Sequence, residues 1–507
     1  MLLTRSVGRL IEPLTGRTLE SHDTPARVRA RVLEFAALGL SARDRVFIHY
    51  GNAIEFFVDL LAVWQAGACA VPIDARLTPF EVENLARAAR PAISVWDVIP
   101  ENGIQQTLAE MGITSTTKAD CSSPPTDAPA AWSDFLLDDE ALILFTSGTT
   151  GDPKGVVHTH RSLRARWMSL EAALGLDAYR RTLCLLPTHF GHGLICNSLF
   201  PWLFGQDLFI LPPFRADTLI HLGELIDTHL ITFLSSVPTV WRLAIKTAKP
   251  PVSQSLRRVF CGSAPLSGSL WRSVQEWTGT SEVMNAYGIT ETGSWLAGTT
   301  VPISTPEDGF IGRAWGGVIR VLRSRDTPIS LDGNHDCTAG ESGHVWVNTP
   351  ALMKGYLNRD DLTSQVVSQG WFATGDIGLL DERGYLYLRG REREEINKGG
   401  MKVYPGDIDA VVERFVSTLD VCTFAVKDEL LGEDIGVAMV MEKADDDTLT
   451  ALHRWCSHHL ATHQMPRRWY VVPEIPRTSR GKVNRSQVAA YCETRPAVPF
   501  AKLLRRQ

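Results

Sequence analysis

The sequence lacks the features that mark several broad protein classes. It has no apolar run near the ~18 residues that a membrane-spanning helix needs, and its opening segment, MLLTRSVGRL, contains no signal-peptide core. The formal charge of -6 is too small, and the basic residues are too scattered, for a nucleic-acid-binding protein. We therefore expect a cytoplasmic protein that binds neither a membrane nor nucleic acid.

Paired cysteines are also missing. The nine cysteines are scattered, none forms a CxxC pair, and no HExxH pattern accompanies the histidines. Free thiols in a reducing compartment fit this pattern better than a disulfide framework does. The histidines of HTHRS and THFGH are His158, His160, His189 and His192. Without partner cysteines, they favour ordinary polar roles over metal ligation.

The chain does have length and a regular alternation of segments. With 507 residues it is too long for one core, so we expect two or more domains. Strand-like and helix-like segments alternate, which predicts an α/β fold with largely parallel sheets. Short strands with glycine and aspartate turns begin near Gly343. After GRERE the sequence predicts a compact unit with a helix (DIDAVVERF), two strands (VCTFAV and IGVAMV) and a second helix (DDTLTALHRWCSHHL). We therefore predict domains of residues 1–391 and 392–507.

One loop has an unusual density of hydrogen-bond donors. The apolar segment ALIL leads into FTSGTTGDPKGV, residues 145–156. Backbone N–H groups in such a loop form an anion-binding nest, which predicts polyphosphate binding. It is not a Walker P-loop, because Pro153 precedes Lys154 and Gly155 follows it. The residues expected around the phosphates are Thr146, Ser147, Gly148, Thr149, Thr150 and Lys154.

This loop resembles the signature of the adenylate-forming superfamily: acyl-CoA synthetases, adenylation domains of nonribosomal peptide synthetases, and beetle luciferases. Further motifs of the family occur in the expected order: AGACAVPID, LPTHFGHGL, GSAPL, NAYGITETG, MKGYLN, GWFATGDIG, LRGRERE and RTSRGKV. The resemblance covers nearly the whole chain. It implies a large N-terminal domain of stacked α/β sheets plus a small β-barrel, and a smaller, mobile α+β C-terminal domain.

The resemblance also implies a two-step reaction. A carboxylate attacks the α-phosphate of MgATP to give an acyl-adenylate and pyrophosphate, and a thiol then displaces AMP. The first step joins two anions, so it needs charge neutralisation and positioning more than a covalent catalyst. By resemblance, Lys482 bridges the acid carboxylate and the phosphate, and Thr290 contacts the α-phosphate. Glu291 is implied to hold Mg²⁺, since a hard cation prefers a carboxylate.

Other motifs of the family imply the remaining nucleotide contacts. Tyr287 is expected to stack on adenine, Asp376 to accept the ribose hydroxyls, and Arg391 to donate to the ribose. The residues expected near the base are Gly262, Ser263, Ala264, Asn285, Ala286 and Gly288.

The domain junction departs from the family pattern in two places. Arg393 stands where the family hinge is often an aspartate or a lysine. Gly399 and Gly400 are placed to border a pantetheine arm, but the usual lysine of that stretch is shifted, because Asn397 precedes Lys398.

The acid pocket is predicted around the LPTHFGHGL motif. Amino-acid-activating relatives hold the amine with an aspartate shortly after this motif, whereas here no acidic residue follows until Asp207. This favours a plain carboxylic acid, with aryl, fatty and larger polycyclic acids left unranked. The predicted pocket residues are His189, Phe190, His192, Phe233 to Ser236, Ser294 and Trp295.

The prediction is an ATP-dependent carboxylic acid–CoA ligase that uses ATP, Mg²⁺ and coenzyme A. A stand-alone enzyme that loads a carrier-protein phosphopantetheine is the alternative, because the carrier presents the same thiol. We expect a free-standing enzyme, since no carrier domain follows Lys482. A nucleotide-binding protein without catalysis is disfavoured by the joint presence of Lys482, Glu291 and Asp376.

Overall fold

The computed structural model of the chain describes most of its residues. The described ranges are 6–100, 103–121, 136–146, 154–212, 216–303, 305–325, 335–398, 401–428, 431–478 and 482–499. Within these ranges, a helix of the length and apolarity needed to cross a bilayer does not occur.

The strands of the described ranges are numbered in chain order. They are β1 Leu10–Glu12, β2 Arg17–Leu19, β3 Arg45–Ile48, β4 Cys69–Pro72, β5 Ile93–Trp96, β6 Thr114–Thr117, β7 Glu140–Thr146, β8 Lys154–Thr159, β9 Arg181–Cys184, β10 Asp207–Ile210, β11 Phe233–Ser236, β12 Arg258–Gly262, β13 Val283–Ile289, β14 Ser294–Gly298, β15 Phe310–Ala314, β16 Val318–Leu322, β17 Gly343–Asn348, β18 Gly355–Tyr356, β19 Val367–Ser368, β20 Trp371–Leu380, β21 Leu386–Arg391, β22 Ile396–Lys398, β23 Met401–Val403, β24 Thr418–Asp428, β25 Gly432–Met441 and β26 Arg468–Val471.

The α-helices follow the same numbering. They are α1 Thr24–Ala37, α2 Ile54–Gln65, α3 Pro79–Ala89, α4 Ile104–Glu110, α5 His160–Leu174, α6 Phe200–Leu203, α7 Ala216–Ile220, α8 Leu222–Thr228, α9 Pro238–Thr247, α10 Gly268–Thr278, α11 Asp360–Val366, α12 Pro405–Glu413, α13 Asp446–His459 and α14 Arg485–Glu493. A π-helix spans His192–Leu199, and short 3₁₀ turns span Asp177–Tyr179, Thr290–Thr292, Glu392–Glu394 and Thr462–Gln464.

The largest sheet changes from parallel to antiparallel along its width. Its hydrogen-bonded order is β16-β17-β20-β21-β15-β14-β13-β12-β11-β9-β10-β1-β2, with β19 beside β20. The pairs from β10 to β13 are parallel, whereas β14 and the strands beyond it pair in antiparallel fashion. The predicted α/β part and the predicted strand-rich section near Gly343 are therefore two ends of one sheet.

A second sheet lies on the other side of a shared core. Its order is β18-β8-β7-β4-β3-β5-β6. The core between the two sheets contains side chains of α2 and α5, such as Phe56 and Trp167, together with Phe233 and Phe260 from the first sheet. Helix α2 is buried from Ile54 to Trp64, including Glu55 and Asp59, as expected for a helix that is apolar on most of its faces.

The C-terminal part has a sheet and a core of its own. The order of this sheet is β23-β22-β25-β24, with β26 beside β25. Helices α12 and α13 pack on one hydrophobic cluster, and α14 packs on another. The helix, two strands and helix that the sequence predicts after GRERE are confirmed as α12, β24, β25 and α13.

Candidate active site

The carboxyl ends of three parallel strands form the base of the site. Strands β11, β12 and β13 are neighbours, and their register places Gly262 beside Ala286. In α/β sheets, ligands bind at this edge. A Cβ atom on Gly262 would lie 2.4 Å from the carbonyl oxygen of Ala286, and one on Gly288 would lie 2.1 Å from that of Ser294. Both positions therefore require glycine.

Two serines of the site adopt a backbone conformation that is rare for non-glycine residues. Ser263 follows β12 with φ of 65°, and Ser294 opens β14 with φ of 73°. Residues in this region carry strain and cluster at functional sites. Ala264 lies in the bend after Ser263, and Asn285 donates through Nδ2 to the carbonyl oxygen of Phe310 at 2.9 Å.

The two residues predicted at the ribose lie together on adjacent strands. Asp376 of β20 is in register with Arg391 of β21, and the Arg391 Nε lies 2.9 Å from the Asp376 Oδ1. The Tyr287 hydroxyl donates to the other carboxylate oxygen at 2.5 Å. The charge of Asp376 raises the pKa of Arg391, and burial followed by the same charge raises the pKa of Tyr287. Tyr287 thus stays a hydroxyl donor beside a carboxylate.

The 3₁₀ turn Thr290–Thr292 presents the predicted catalytic residues Thr290 and Glu291. The His158 Nε2 contacts the carbonyl oxygen of Thr290 at 2.8 Å, and it is the donor because a carbonyl only accepts. The Arg166 Nε and one terminal nitrogen donate to the carbonyl oxygen of Thr292 at 3.1 and 2.9 Å. Backbone carbonyls on both sides of Glu291 are therefore fixed by buried basic side chains.

Tyr356 connects Glu291 to the phosphate-loop lysine. Its hydroxyl donates to the Glu291 Oε1 at 2.7 Å, and the Lys154 Nζ lies 5.7 Å from the centroid of its ring. Thr146 and Lys154 are paired across β7 and β8. The predicted loop residues Ser147, Gly148, Thr149 and Thr150 lie outside the described residues.

The C-terminal lysine reaches the predicted acid pocket. The Lys482 Nζ lies 5.6 Å from the centroid of the Phe190 ring, and that ring is 6.1 Å from the His192 ring. Burial lowers the pKa of His192 to about 3, and the charge of Lys482 acts in the same direction. His192 is therefore neutral, and Lys482 provides the positive charge at this position.

The two nitrogens of His192 contact hydroxyls on neighbouring strands. Its Nδ1 lies 2.8 Å from the Ser263 Oγ, and its Nε2 lies 2.6 Å from the Ser235 Oγ. A neutral imidazole has one donor and one acceptor, so one hydroxyl accepts while the other donates. Trp295 packs edge-on against the same ring at 5.5 Å.

Other predicted pocket residues have different surroundings. Ser236 follows Ser235 in β11, so its side chain points to the opposite face of the sheet. The His189 Nε2 lies 3.4 Å from the Asp74 Oδ2.

The predicted domain-junction residues are only partly described. The backbone of Arg393 lies in the 3₁₀ turn Glu392–Glu394. Its side chain, and both Gly399 and Gly400, lie outside the described part of the chain.

Several residues of this geometry were missed by sequence reasoning. Tyr356 stands within MKGYLN, a motif that the resemblance already included, so its aromatic hydroxyl was an available signal. Ser235 lies within the predicted range Phe233 to Ser236, but its contact with His192 was not foreseen. Arg166 and His158 had no such signal, because their partners are 126 and 132 residues away along the chain.

Comparison with known proteins identifies the family. A family model described as AMP-binding enzyme matches residues 20–357, and the model of the AMP-binding enzyme C-terminal domain matches residues 407–482. The chain belongs to this family of AMP-binding enzymes, the adenylate-forming superfamily. The predicted family and the predicted AMP-forming ligase class are confirmed.

Two curated plant relatives match over nearly their whole length. A probable CoA ligase, CCL9, of Humulus lupulus is 28% identical over 494 residues, which cover 93% of this chain and 92% of that protein. The oxalate–CoA ligase of Arabidopsis thaliana is 28% identical over 491 residues, which cover 94% and 93%.

A solved relative supports the predicted fold class. ATP-bound MatB from Rhodopseudomonas palustris is 26% identical, with a TM-score of 0.84 and 97% of each chain covered. The apo structure of the same protein, also at 26% identity and 97% coverage, has a TM-score of 0.75. The predicted α/β class with a smaller C-terminal domain is confirmed.

Proposed function

We propose that this enzyme is an ATP-dependent carboxylic acid–CoA ligase. It forms an acyl-adenylate with release of pyrophosphate and then transfers the acyl group to the CoA thiol with release of AMP. The observation that carries the proposal is the position of Lys482, whose ammonium lies 5.6 Å from the Phe190 ring. The Thr290–Glu291 turn and the Asp376–Arg391 pair offer groups that match a triphosphate and a ribose.

In the first half-reaction, the protein neutralises and aligns two anions. A carboxylate oxygen of the acid attacks the α-phosphorus, and the bond between that phosphorus and the bridging oxygen of pyrophosphate breaks. Lys482 lies between the two anionic groups, and Thr290 donates to the α-phosphate. Such electrostatic preorganisation is the main contribution a protein makes to phosphoryl chemistry.

The nucleotide is held by the remaining residues of the site. Thr146, Ser147, Gly148, Thr149, Thr150 and Lys154 contact the β- and γ-phosphates. Tyr287 and the segment Gly262 to Ala264 border adenine, and Asp376 with Arg391 holds the ribose. The Glu291 carboxylate fits Mg²⁺, a hard cation that prefers oxygen ligands, and its orientation by the Tyr356 hydroxyl supports this role. Mg²⁺ supplies neutralisation of phosphate charge at this position.

The thiol step requires that Lys482 leave the acid pocket. We place the large domain at residues 1–391 and the mobile small domain at residues 392–507, with Arg393 as the hinge. Rotation about this point withdraws Lys482 and brings Gly399 and Gly400 towards the pantetheine arm. The sulfur then attacks the acyl carbon, and AMP leaves.

The first test is ATP–pyrophosphate exchange with a panel of acids. Substituting Lys482→Ala removes the bridging charge, so exchange with any accepted acid should fall at least ~100-fold, while ATP binding persists. Lys443→Ala is the matched control, because this lysine belongs to the same domain, is 69% exposed and pairs with its near neighbour Asp445 at 2.6 Å. Equal exchange rates in the parent and the Lys482→Ala variant would contradict the role of Lys482.

The second test concerns the thiol. AMP release and a thioester product are measured with free CoA and, separately, with a phosphopantetheinylated carrier protein. We expect turnover with free CoA. A product formed only on the carrier would favour the carrier-loading alternative over CoA ligation.

A further inference from the structure

A histidine connects two serines on neighbouring strands of the first sheet. The Nδ1 of His192 lies 2.8 Å from the Ser263 Oγ, and its Nε2 lies 2.6 Å from the Ser235 Oγ. Ser235 belongs to β11, whereas Ser263 directly follows β12. We call these three side chains the Ser–His–Ser bridge. Burial and charge determine which group donates each of its two hydrogen bonds.

The imidazole of His192 is neutral and therefore carries a single N–H. Its residue is 2% exposed. Burial lowers its pKa to about 3, and the positive charge of Lys482 acts in the same direction. At neutral pH one ring nitrogen of His192 thus donates a hydrogen bond and the other accepts one.

The burial of Ser235 decides which nitrogen donates. Ser235 has no exposed surface, and within the described part of the chain its Oγ contacts no hydrogen-bond partner other than the His192 Nε2. If Nε2 carried the proton, the buried O–H of Ser235 would lack an acceptor among those residues, which is costly. Ser235 therefore donates to Nε2, and the Nδ1–H of His192 donates to the Ser263 Oγ.

The hydroxyl of Ser263 then has its own proton left to donate, because a hydroxyl can accept and donate at once. Ser263 is only partly buried and has a φ of 65°, which is rare for a residue other than glycine. It stands at the carboxyl end of a parallel strand, the edge at which ligands bind. Its partner His192 neighbours Phe190 at 6.1 Å, and Lys482 lies over Phe190 at 5.6 Å. The carboxylate of an acid beside Lys482 is a suitable acceptor for this proton.

We propose that Ser235 and His192 are positioning residues that direct the hydroxyl proton of Ser263 towards an oxygen of the bound acid. This inference rests on the proposed ligase function and adds a substrate contact to it. No proton is transferred along the Ser–His–Ser bridge, which only fixes the direction of its hydrogen bonds. In the opposite direction, Ser263 would turn a lone pair towards the carboxylate and repel it.

The substrate contact is tested with Ser263→Ala. ATP–pyrophosphate exchange is measured with the best acid among acetate, malonate, benzoate, cinnamate and octanoate. We expect kcat/KM for the acid to fall about tenfold, because a hydrogen bond to a charged group is lost. KM for MgATP should change less than about twofold. An unchanged kcat/KM for the acid, or a rise in KM for MgATP alone, would overturn the proposal.

The control for this variant is Ser94→Ala. It also removes a serine hydroxyl, one that is buried in β5 of the second sheet and has no hydrogen-bond partner within the described ranges. Both kinetic constants of Ser94→Ala should match those of the parent. Equal losses of activity in Ser94→Ala and Ser263→Ala would assign the effect to general destabilisation and contradict the substrate contact.

The positioning role is tested with Ser235→Ala. Without this donor the ring proton of His192 can move to Nε2, so we expect kcat/KM for the acid to fall about threefold. The double variant Ser235→Ala/Ser263→Ala should be no slower than Ser263→Ala, because both changes act through one contact. Losses that multiply in the double variant would contradict the Ser–His–Ser bridge.

The direction of the bridge is also measurable without substrate. NMR of the full-length enzyme labelled with ¹⁵N-histidine distinguishes a protonated ring nitrogen from an unprotonated one. The His192 signals are those that disappear in His192→Phe. We expect a proton on Nδ1 and none on Nε2, and the opposite tautomer or a doubly protonated ring would overturn the proposal. This measurement decides even if Ser235→Ala fails to fold.

The outcomes separate this inference from the ligase function on which it rests. Thioester formation by the parent, with unchanged kinetics in Ser263→Ala, would refute the substrate contact and leave the ligase intact. Pyrophosphate exchange without CoA product, for every acid, would count against CoA ligation. The Ser263 contact would in that case still be judged on the exchange rates, because exchange requires the acid but not the thiol.

Discussion

At the scale of single residues, Arg166 has an unusual environment. It is fully buried in α5, and its guanidinium donates to backbone carbonyls, those of Thr292 and Trp315, the latter at 2.7 Å. Burial lowers the pKa of Arg166 to about 10, so it remains charged at neutral pH. The planar fork of arginine suits this arrangement, because it reaches several acceptors at once. We regard Arg166 as a positioning residue for Glu291, which directly precedes Thr292.

Replacing Arg166 should loosen the turn that carries Glu291. In Arg166→Gln the Thr292 and Trp315 carbonyls lose a charged donor, so we expect KM for MgATP to rise about tenfold, with little change in KM for the acid. In Arg166→Lys the KM for MgATP should rise less than in Arg166→Gln, because lysine keeps the positive charge but lacks the planar, forked guanidinium of arginine. The exposed Arg164 on the same helix supplies the control, Arg164→Gln. An equal rise in both KM values would indicate general destabilisation instead.

At the scale of elements, helix α9 carries several contacts between the small domain and the large one. The Arg242 Nε of α9 donates to the Glu413 Oε1 of α12 at 3.1 Å, and Arg477 donates to the Thr239 Oγ1, also on α9, at 3.2 Å. Arg477 is itself held by Asp420 at 2.6 Å. These contacts accompany the placement of Lys482 over Phe190, so they stabilise the orientation that we propose for acyl-adenylate formation.

Breaking the α9–α12 ion pair should affect one half-reaction more than the other. A partly buried ion pair contributes about 1 kcal/mol to the stability of the domain orientation. For Arg242→Gln we therefore expect acyl-adenylate formation to slow about fivefold. Thioester formation from a preformed acyl-adenylate should not slow. Single-turnover measurements of both steps test this. Arg320→Gln, which breaks a 2.6 Å pair with Asp336 within the large domain, is the control. A slower thiol step in Arg242→Gln would argue against a role in domain orientation.

At the scale of the whole molecule, the fold matches an ATP-bound relative more closely than the apo form of the same protein. The TM-score against ATP-bound MatB is 0.84, compared with 0.75 against the apo form, at the same sequence identity and coverage.

The whole fold should lose stability on acidification because it buries neutral histidines. Burial lowers the pKa of His49 and of His192 to about 3, and that of His158 to about 4. The unfolded chain binds protons near pH 6.5, so this stability is complete above that pH and is lost as the pH falls towards these lower values. Burial raises the pKa of Asp59 to about 6, so the folded state takes up this proton more readily than the unfolded chain does. Over part of this pH range, Asp59 therefore offsets the stability lost through one of the histidines.

A single substitution isolates this effect. His49→Gln removes one buried titrating group, a ring stacked on Trp96 at 3.7 Å. The fall in unfolding free energy between pH 7 and pH 5 should then be shallower, by up to about 1.4 kcal/mol per pH unit. Denaturant unfolding at several pH values measures it. The control is His22→Gln, because that side chain is 78% exposed. Parallel pH profiles for the parent and His49→Gln would rule out this contribution.

The sequence by itself determined those functional residues that stand in short local motifs. The phosphate loop, the Thr290–Glu291 turn, the Asp376–Arg391 pair and Lys482 each stand in a local motif whose residue types suit a nucleotide or a carboxylate. Helices such as α2 were predictable for the same reason, because their apolar pattern is local.

The tertiary structure alone decided how these segments are held against one another. Strand β14 brings Trp295 against Phe260 and His192, which come from other parts of the chain. Arg166 reaches Thr292 only through the packing of α5. Such side-chain and backbone contacts join residues that are distant in the sequence, and no local pattern of hydrophobicity or charge specifies them.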